Sequence, residues 1–159
     1  MRRLRALGSV VVLLIVVAWT AVSAAGGPPV TIPERAHGAK KVVVATTSSV
    51  TPQWRTNSHG DQLIVSQIGL QVEETLKGTP APFHWLELEG GTLNGVTLHV
   101  SHLPDLKPGE RAVFFLDETN TGTHVPHLQG LGILKLDANG QVQGSGLHLG
   151  DIRRMVAGQ

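Results

Sequence analysis

The chain lacks cysteine and tyrosine, has few other aromatic side chains, and is almost neutral. Its 159 residues include three Phe and three Trp, and 13 Lys and Arg against 12 Asp and Glu give a formal charge of +1. Without cysteine there is no disulfide framework, no thiolate ligand for zinc or iron–sulfur clusters, and no thiol nucleophile. A charge near zero provides no attractive field for a polyanion, so we expect no nucleic-acid partner. The length corresponds to one ordinary domain.

The N-terminal segment has the pattern of an export signal. Three arginines form a basic start, an apolar run follows, and small residues end the segment at positions 22–25, as at a signal-peptide cleavage site. We therefore predict a signal peptide at residues 1–25 and a secreted or periplasmic protein. The alternative is an uncleaved anchor, because the stretch 7–25 is about long enough to span a bilayer as a helix. In that case this segment is the only part expected to contact a membrane.

Removal of the signal changes the charge of the protein. Residues 1–24 contain three Arg and no acid, so ten basic residues remain against twelve acidic ones, a net charge of −2 with neutral histidine. The mature protein is therefore mildly acidic, which argues further against a nucleic-acid partner. Because it has no disulfide, its stability must come from its apolar core.

The mature chain has the pattern of a β-rich domain. Residues 41–49 are rich in β-branched side chains, and from Ile64 to Lys77 apolar and polar residues alternate, which is typical of a half-buried strand. At ~3.3 Å per residue this strand is unusually long, so we expect it to bend at Gly69. Further strands are predicted at residues 83–89, 96–100, 112–116 and 131–137, and short helices near residues 34–41 and 150–158.

These elements predict an all-β or β-rich domain with short terminal helices. We expect a small antiparallel barrel of five to six strands, one of them long and bent, with a sandwich as the alternative. The barrel is favoured because a closed sheet has no free edges, and free edges promote aggregation. Glycine and proline mark residues 26–36 as a linker before the barrel.

The order of several motifs resembles that of a family of secreted bacterial domains whose function is uncharacterised. Between Lys40 and Val142 the chain has KKVVVATTSSV, LQVEETLKG, LELEGGTLNG, LPDLKPGERAVFFL and LQGLGILKLDANGQV. Family members share the blocks VVVGxV, VEExLKG, GG, PGExxxxFL and xGxxxV. More remotely, the arrangement is similar to the netrin-like modules of tissue inhibitors of metalloproteases, which are OB-type barrels. These motifs are structural, so the resemblance implies an OB-like barrel at residues 37–157 and no particular activity.

The resemblance to the metalloprotease inhibitors does not extend to their inhibitory group. Those inhibitors use an N-terminal cysteine to bind the zinc of the enzyme, and several disulfides hold their fold. The present chain has no cysteine. The resemblance therefore does not imply an inhibitory mechanism.

Histidine is more frequent than expected, with eight residues in the chain. His99 and His102, and likewise His124 and His127, form His-x-x-His pairs, and neutral imidazoles are good ligands for Zn, Cu or Ni. On a strand the first pair would point to opposite faces. The second pair lies in a proline-containing loop where the rings can converge. The candidate metal ligands are therefore His124, His127 and His148, and the other interpretation is a set of scattered surface histidines.

The sequence does not indicate an enzyme. It contains neither an HExxH helix nor a GxSxG nucleophile elbow. Trp85, Glu87 and Glu89 share one face of a predicted strand, which is an arrangement found at sugar-binding sites and equally on any solvated strand face.

Together these observations predict an exported, non-enzymatic binding module with a protein partner at the cell envelope and no cofactor. The alternative prediction, from a different class, is an exported metal-binding protein that uses histidine ligands.

Overall fold

A computed structural model describes residues 29–159 of the chain. The predicted signal peptide and the first residues of the predicted linker lie outside the described residues. Among residues 29–159, no helix is long and apolar enough to cross a membrane.

The described part contains eight strands and two α-helices. The strands are β1 Lys41–Thr56, β2 Gln62–Lys77, β3 Phe83–Glu89, β4 Gly91–Leu93, β5 Val96–Leu98, β6 Arg111–Glu118, β7 His124–Pro126 and β8 Ile133–Lys135. The helices are α1 Ile32–Gly38 and α2 Leu149–Ala157, with a 3-10 turn at Gln129–Gly132.

Five of the strands form a closed ring. β1 pairs with β2 on one side and with β6 on the other, and the ring runs β1–β2–β3–β7–β6 and back to β1. β8 extends the sheet from β6, while β4 and β5 form a separate hairpin. The prediction of a small, β-rich barrel is confirmed. One pairing departs from the antiparallel pattern, because β3 and β7 run parallel at Leu86 and His124.

The β1–β2 hairpin is the long, bent element of the barrel. The two strands have 16 residues each, and β1 continues to Thr56, beyond the β-branched residues 41–49. Their register shifts between Thr47 and Ser49, opposite Gly69. A Cβ on Gly69 would lie 2.6 Å from Oγ of Ser48 and 2.7 Å from Oγ of Ser49. A side chain at position 69 would therefore displace these two hydroxyls from their places at the bend.

The core has two parts, on opposite sides of β1 and β6. In β1, Val43 and Ala45 face the barrel interior, whereas Val42 and Val44 pack with the helices. The apolar run in β6 divides in the same way, so this strand is covered on both faces. The residues packed around the helices include Ile32, Ala36, Val113, Phe115, Leu136, Leu149 and Ile152.

Helix α1 includes the last residues of the predicted linker. Thr31 caps it, and the hydroxyl of Thr31 and the carboxylate of Glu34 form a capping box. Burial of Ile32 and Ala36 makes this helix part of the core, so the folded domain begins before residue 37. At its other end, Nζ of Lys77 donates to the carbonyls of residues 36, 37 and 39 at 2.6–3.1 Å. The ammonium thus binds the negative end of the helix.

We predict that Gly69→Ala lowers the free energy of unfolding by about 1–3 kcal/mol, because the added methyl group overlaps two serine hydroxyls in the packed hairpin. Urea denaturation measures the effect. Gly146→Ala is the matched control, since a Cβ there meets no atom within 4 Å. Equal destabilisation by both substitutions would contradict the close approach at Gly69.

Candidate functional site

A cavity of about 330 Å³ lies between one end of the barrel and the β4–β5 hairpin. Its apolar floor includes Ile68 of β2, Leu88 of β3 and Leu106, all of which are buried. Residues 103–107, which lead into β6, form the wall that faces the hairpin. The size is near the lower limit for ligand pockets, which span roughly 300–1,000 Å³. The cavity therefore has room for one or two side chains or a small ligand.

Two glycines place the hairpin over the barrel end. Gly90 and Gly91 have φ angles of 108° and 135°, which side-chain-bearing residues rarely adopt. A Cβ on Gly91 would also lie 2.6 Å from Oγ of Ser66. The Ser66 hydroxyl donates to the carbonyl of Gly90 at 2.7 Å, which ties the start of the hairpin to β2. The GG pair read from the sequence thus forms one wall of the cavity.

The rim of the cavity is polar and carries charges of both signs. Glu89, Asp105, His99 and Lys107 lie around it, and all four are exposed. Among the described residues, the one hydrogen-bond partner of the Ser66 hydroxyl is the carbonyl of Gly90. An apolar floor with a polar rim is the arrangement of a binding site.

The outer face of β3 carries the second notable group of side chains. Phe83 and Trp85 pack edge to face with ring centroids 4.9 Å apart, and the side chain of Trp85 remains 42 % exposed. Glu87 is paired with Arg55 at 2.9 Å, whereas Glu89 reaches the cavity rim. Trp85 and the two glutamates therefore do share a strand face, but the glutamates have different neighbours.

Of the predicted metal ligands, His124 lies inside the barrel wall and not in a loop. It begins β7 and contacts His84 of β3, with ring centroids 4.6 Å apart and the ring planes tilted by 59°. The two residues are only 4 % and 7 % exposed. Nδ1 of His124 lies 3.3 Å from the carbonyl of Trp85, while the Nε2 atoms of both rings are buried without a hydrogen-bond partner among the described residues.

Burial holds both imidazoles in the neutral form. Desolvation is the main cause that lowers the pKa of His84, and the nearby His124 and Lys41 lower it further. Desolvation likewise lowers the pKa of His124, while the Trp85 carbonyl and Glu118 act in the opposite direction. The pair is therefore uncharged at neutral pH.

The other predicted ligands have separate structural partners. Nδ1 of His127 lies 2.8 Å from a carboxylate oxygen of Asp117. His148 is the N-cap of α2, where its Nδ1 accepts from the backbone of Gly150, and its Nε2 lies 2.8 Å from the carbonyl of Asn139. The structure does not bring His124, His127 and His148 together, and within residues 29–159 no three His, Asp or Glu side chains are grouped so that they could hold a metal ion.

Sequence reasoning missed the partner of His124. The alternation in residues 83–89 places His84 on the same side as Leu86 and Leu88, which is the buried side. β7 is only three residues long, so the sequence around His124 predicts a loop and gives no sign that this residue pairs with β3. The cavity was missed as well, because its walls come from segments that are distant in the chain. Comparison with known proteins shows no matching family model and no matching curated protein.

We predict that the protein becomes less stable as the pH falls below about 6.5, the ordinary pKa of histidine. Below that pH the histidines of the unfolded chain bind protons, whereas the buried imidazoles of His84 and His124 do not, because their pKa values are lowered. The free energy of unfolding therefore decreases with falling pH until the pH passes the lowered pKa values of the folded protein. Urea denaturation between pH 7.5 and 5 measures the slope. His84→Gln with His124→Gln should flatten it, and His59→Gln, at an exposed turn, should not. Equal slopes in all three proteins would contradict the prediction.

Proposed function

We propose that this protein is an exported, non-enzymatic binding module that binds a protein partner at the cell envelope through the cavity under the β4–β5 hairpin. The observation that carries the proposal is the cavity itself, which combines a buried apolar floor with an exposed polar rim. A side chain of the partner would displace water from the floor, and burial of apolar surface stabilises a complex by roughly 25 cal/mol per Å² before the costs of association.

The sequence supports the remaining parts of the proposal. The pattern of residues 1–25 is that of an export signal, and a net charge of −2 for the rest of the chain favours a protein over a polyanion. The resemblance to secreted OB-like domains supports the same assignment, because its motifs are structural and include no catalytic group.

Site-specific photocrosslinking in the native cells tests this function. A benzophenone amino acid at His99, which is exposed on the cavity rim, should give a discrete protein adduct in the envelope fraction. The same substitution at His37, which is exposed on α1 and does not line the cavity, is the matched control and should give none.

The crosslinking experiment also tests the cavity directly. Leu98 lines the cavity and is half-buried, so Leu98→Trp should fill it and abolish the adduct formed from position 99. Leu147 is a half-buried leucine outside the cavity, and Leu147→Trp should leave the adduct unchanged. The proposal is wrong if position 99 yields no specific adduct, or if both tryptophan substitutions leave the adduct in place.

Histidine-based metal binding is the second candidate function, and one observation favours it. The Nε2 atoms of His84 and His124 are buried without partners among the described residues, and the ring centroids lie 4.6 Å apart. Neutral imidazole nitrogens are ligands for Zn²⁺, Cu²⁺ and Ni²⁺. This ligand pair differs from the predicted set, since His127 and His148 have other partners.

Under this second function, calorimetric titration with each of the three ions should show one site that His84→Gln and His124→Gln both remove. His148→Asn, which preserves a capping side chain on α2, is the control and should retain the site. Absence of heat beyond dilution for all three ions would eliminate this candidate.

A further inference from the structure

We infer that the cavity and the free edge of β5 together bind an extended segment of the partner protein as an added strand. One apolar side chain of that segment enters the cavity, and a neighbouring basic side chain contacts the rim. This inference rests on the proposed function and specifies the form of the partner that the cavity accepts.

The hairpin register leaves a hydrogen-bonding position on the outer edge of β5. Asn94 and Gly95 both have positive φ angles, 53° and 79°, as in the two-residue turn that closes a tight hairpin. The pair next to such a turn, Leu93 and Val96, exchanges its backbone hydrogen bonds. By alternation, Thr97 is in a non-hydrogen-bonded pair, so its N–H and C=O point away from β4.

The opposite wall also presents unpaired backbone groups. Residues 104–107 lie between two turns and belong to no helix or strand, and the N–H groups of Asp105 and Leu106 make no hydrogen bond to any residue in the described part of the chain. A segment lying between this wall and β5 can therefore pair its backbone with protein groups. Such strand addition is a common mode of peptide recognition, in which backbone bonds contribute affinity and pockets contribute specificity.

The cavity floor lies below this edge and sets the side-chain preference. Thr97 and Leu98 line the cavity together with the buried side chains of Ile68 and Leu88. Successive side chains of a strand point to opposite faces. An added strand therefore places every second side chain toward the floor, where the cavity has room for one large apolar side chain.

Charge complementarity specifies the neighbouring residue. Glu89 and Asp105 are exposed on the rim, and neither forms an ion pair within residues 29–159. Lys107 is the cation on the rim, and its charge helps to lower the pKa of the Glu110 carboxyl. The rim thus presents two unpaired carboxylates to the bound segment, which favours a Lys or Arg beside the apolar residue.

A random dodecapeptide library displayed on phage, selected against the full-length protein, tests the inference. We expect enrichment of peptides with one large apolar residue and a Lys or Arg within two positions of it. The enriched peptide is then synthesised in two forms, each N-methylated at alternate residues. In an added strand one set of N–H groups faces β5 and the other faces the wall, whose unpaired groups are N–H donors and bind carbonyls of the segment. The form methylated on the β5-facing set should therefore bind about tenfold or more weakly than the other form.

Two substitutions in the protein give an independent measurement. Thr97→Pro removes the outward N–H without removing a β4–β5 hydrogen bond, and should weaken binding of the unmodified peptide about tenfold or more. Thr97→Val retains the N–H and is the matched control, with unchanged affinity expected. Circular dichroism of both variants checks the fold, and the N-methylated peptides test the same contact on the unaltered protein.

The outcomes separate this inference from the proposed function. If a peptide binds and Leu98→Trp blocks it, but both N-methylated forms bind equally, strand addition is wrong while the cavity remains a binding site. If no peptide is enriched, or if the protein forms a dimer that Leu98→Trp abolishes, the inference is also overturned. In both of these cases the photocrosslink at position 99 still decides whether the proposed function holds.

Discussion

The pairing of β1 along both of its edges is the constraint on which the rest of the structure depends. A strand that pairs with β2 on one side and β6 on the other closes the sheet, and closure fixes which side chains face the barrel interior. Because β1 also buries Val42 and Val44 on its outer face, something must cover that face. The helices α1 and α2 do so, which explains why a small barrel without disulfides retains two helices.

The weakest part of the closure lies between β3 and β7. These strands meet at one parallel pair, Leu86 and His124, whereas β1 and β2 pair along their whole length. Two imidazoles occupy this seam and must stay neutral to remain buried. The contact between the two imidazoles thus lies where the ring has the fewest strand pairings. Protonation of either side chain would therefore weaken the closure of the barrel.

Regular alternation and turn residues made the larger elements predictable. The period-2 pattern in β2 and the apolar run in β6 follow from local sequence, and a glycine inside a long strand indicates a bend at Gly69, whereas its close approach to Ser48 and Ser49 depends on the pairing with β1. β7 could not be predicted in this way, because three residues ending in Pro126 form a strand only through pairing with β6 and β3. The cavity depends on β2, β3, the hairpin and residues 103–107 meeting in space. Thr31 and Glu34 did carry a readable signal, since a capping box in the predicted linker indicates a helix start.

The helices and the cavity contact different parts of β2. Lys77 and Glu74, at the end of β2, bind α1 and α2, whereas Ile68 lies at the cavity floor. The nine positions from Ile68 to Lys77 span up to roughly 30 Å of strand. The residues that precede α1 therefore enter the described domain beside the end of β2 that Lys77 and Glu74 connect to the two helices.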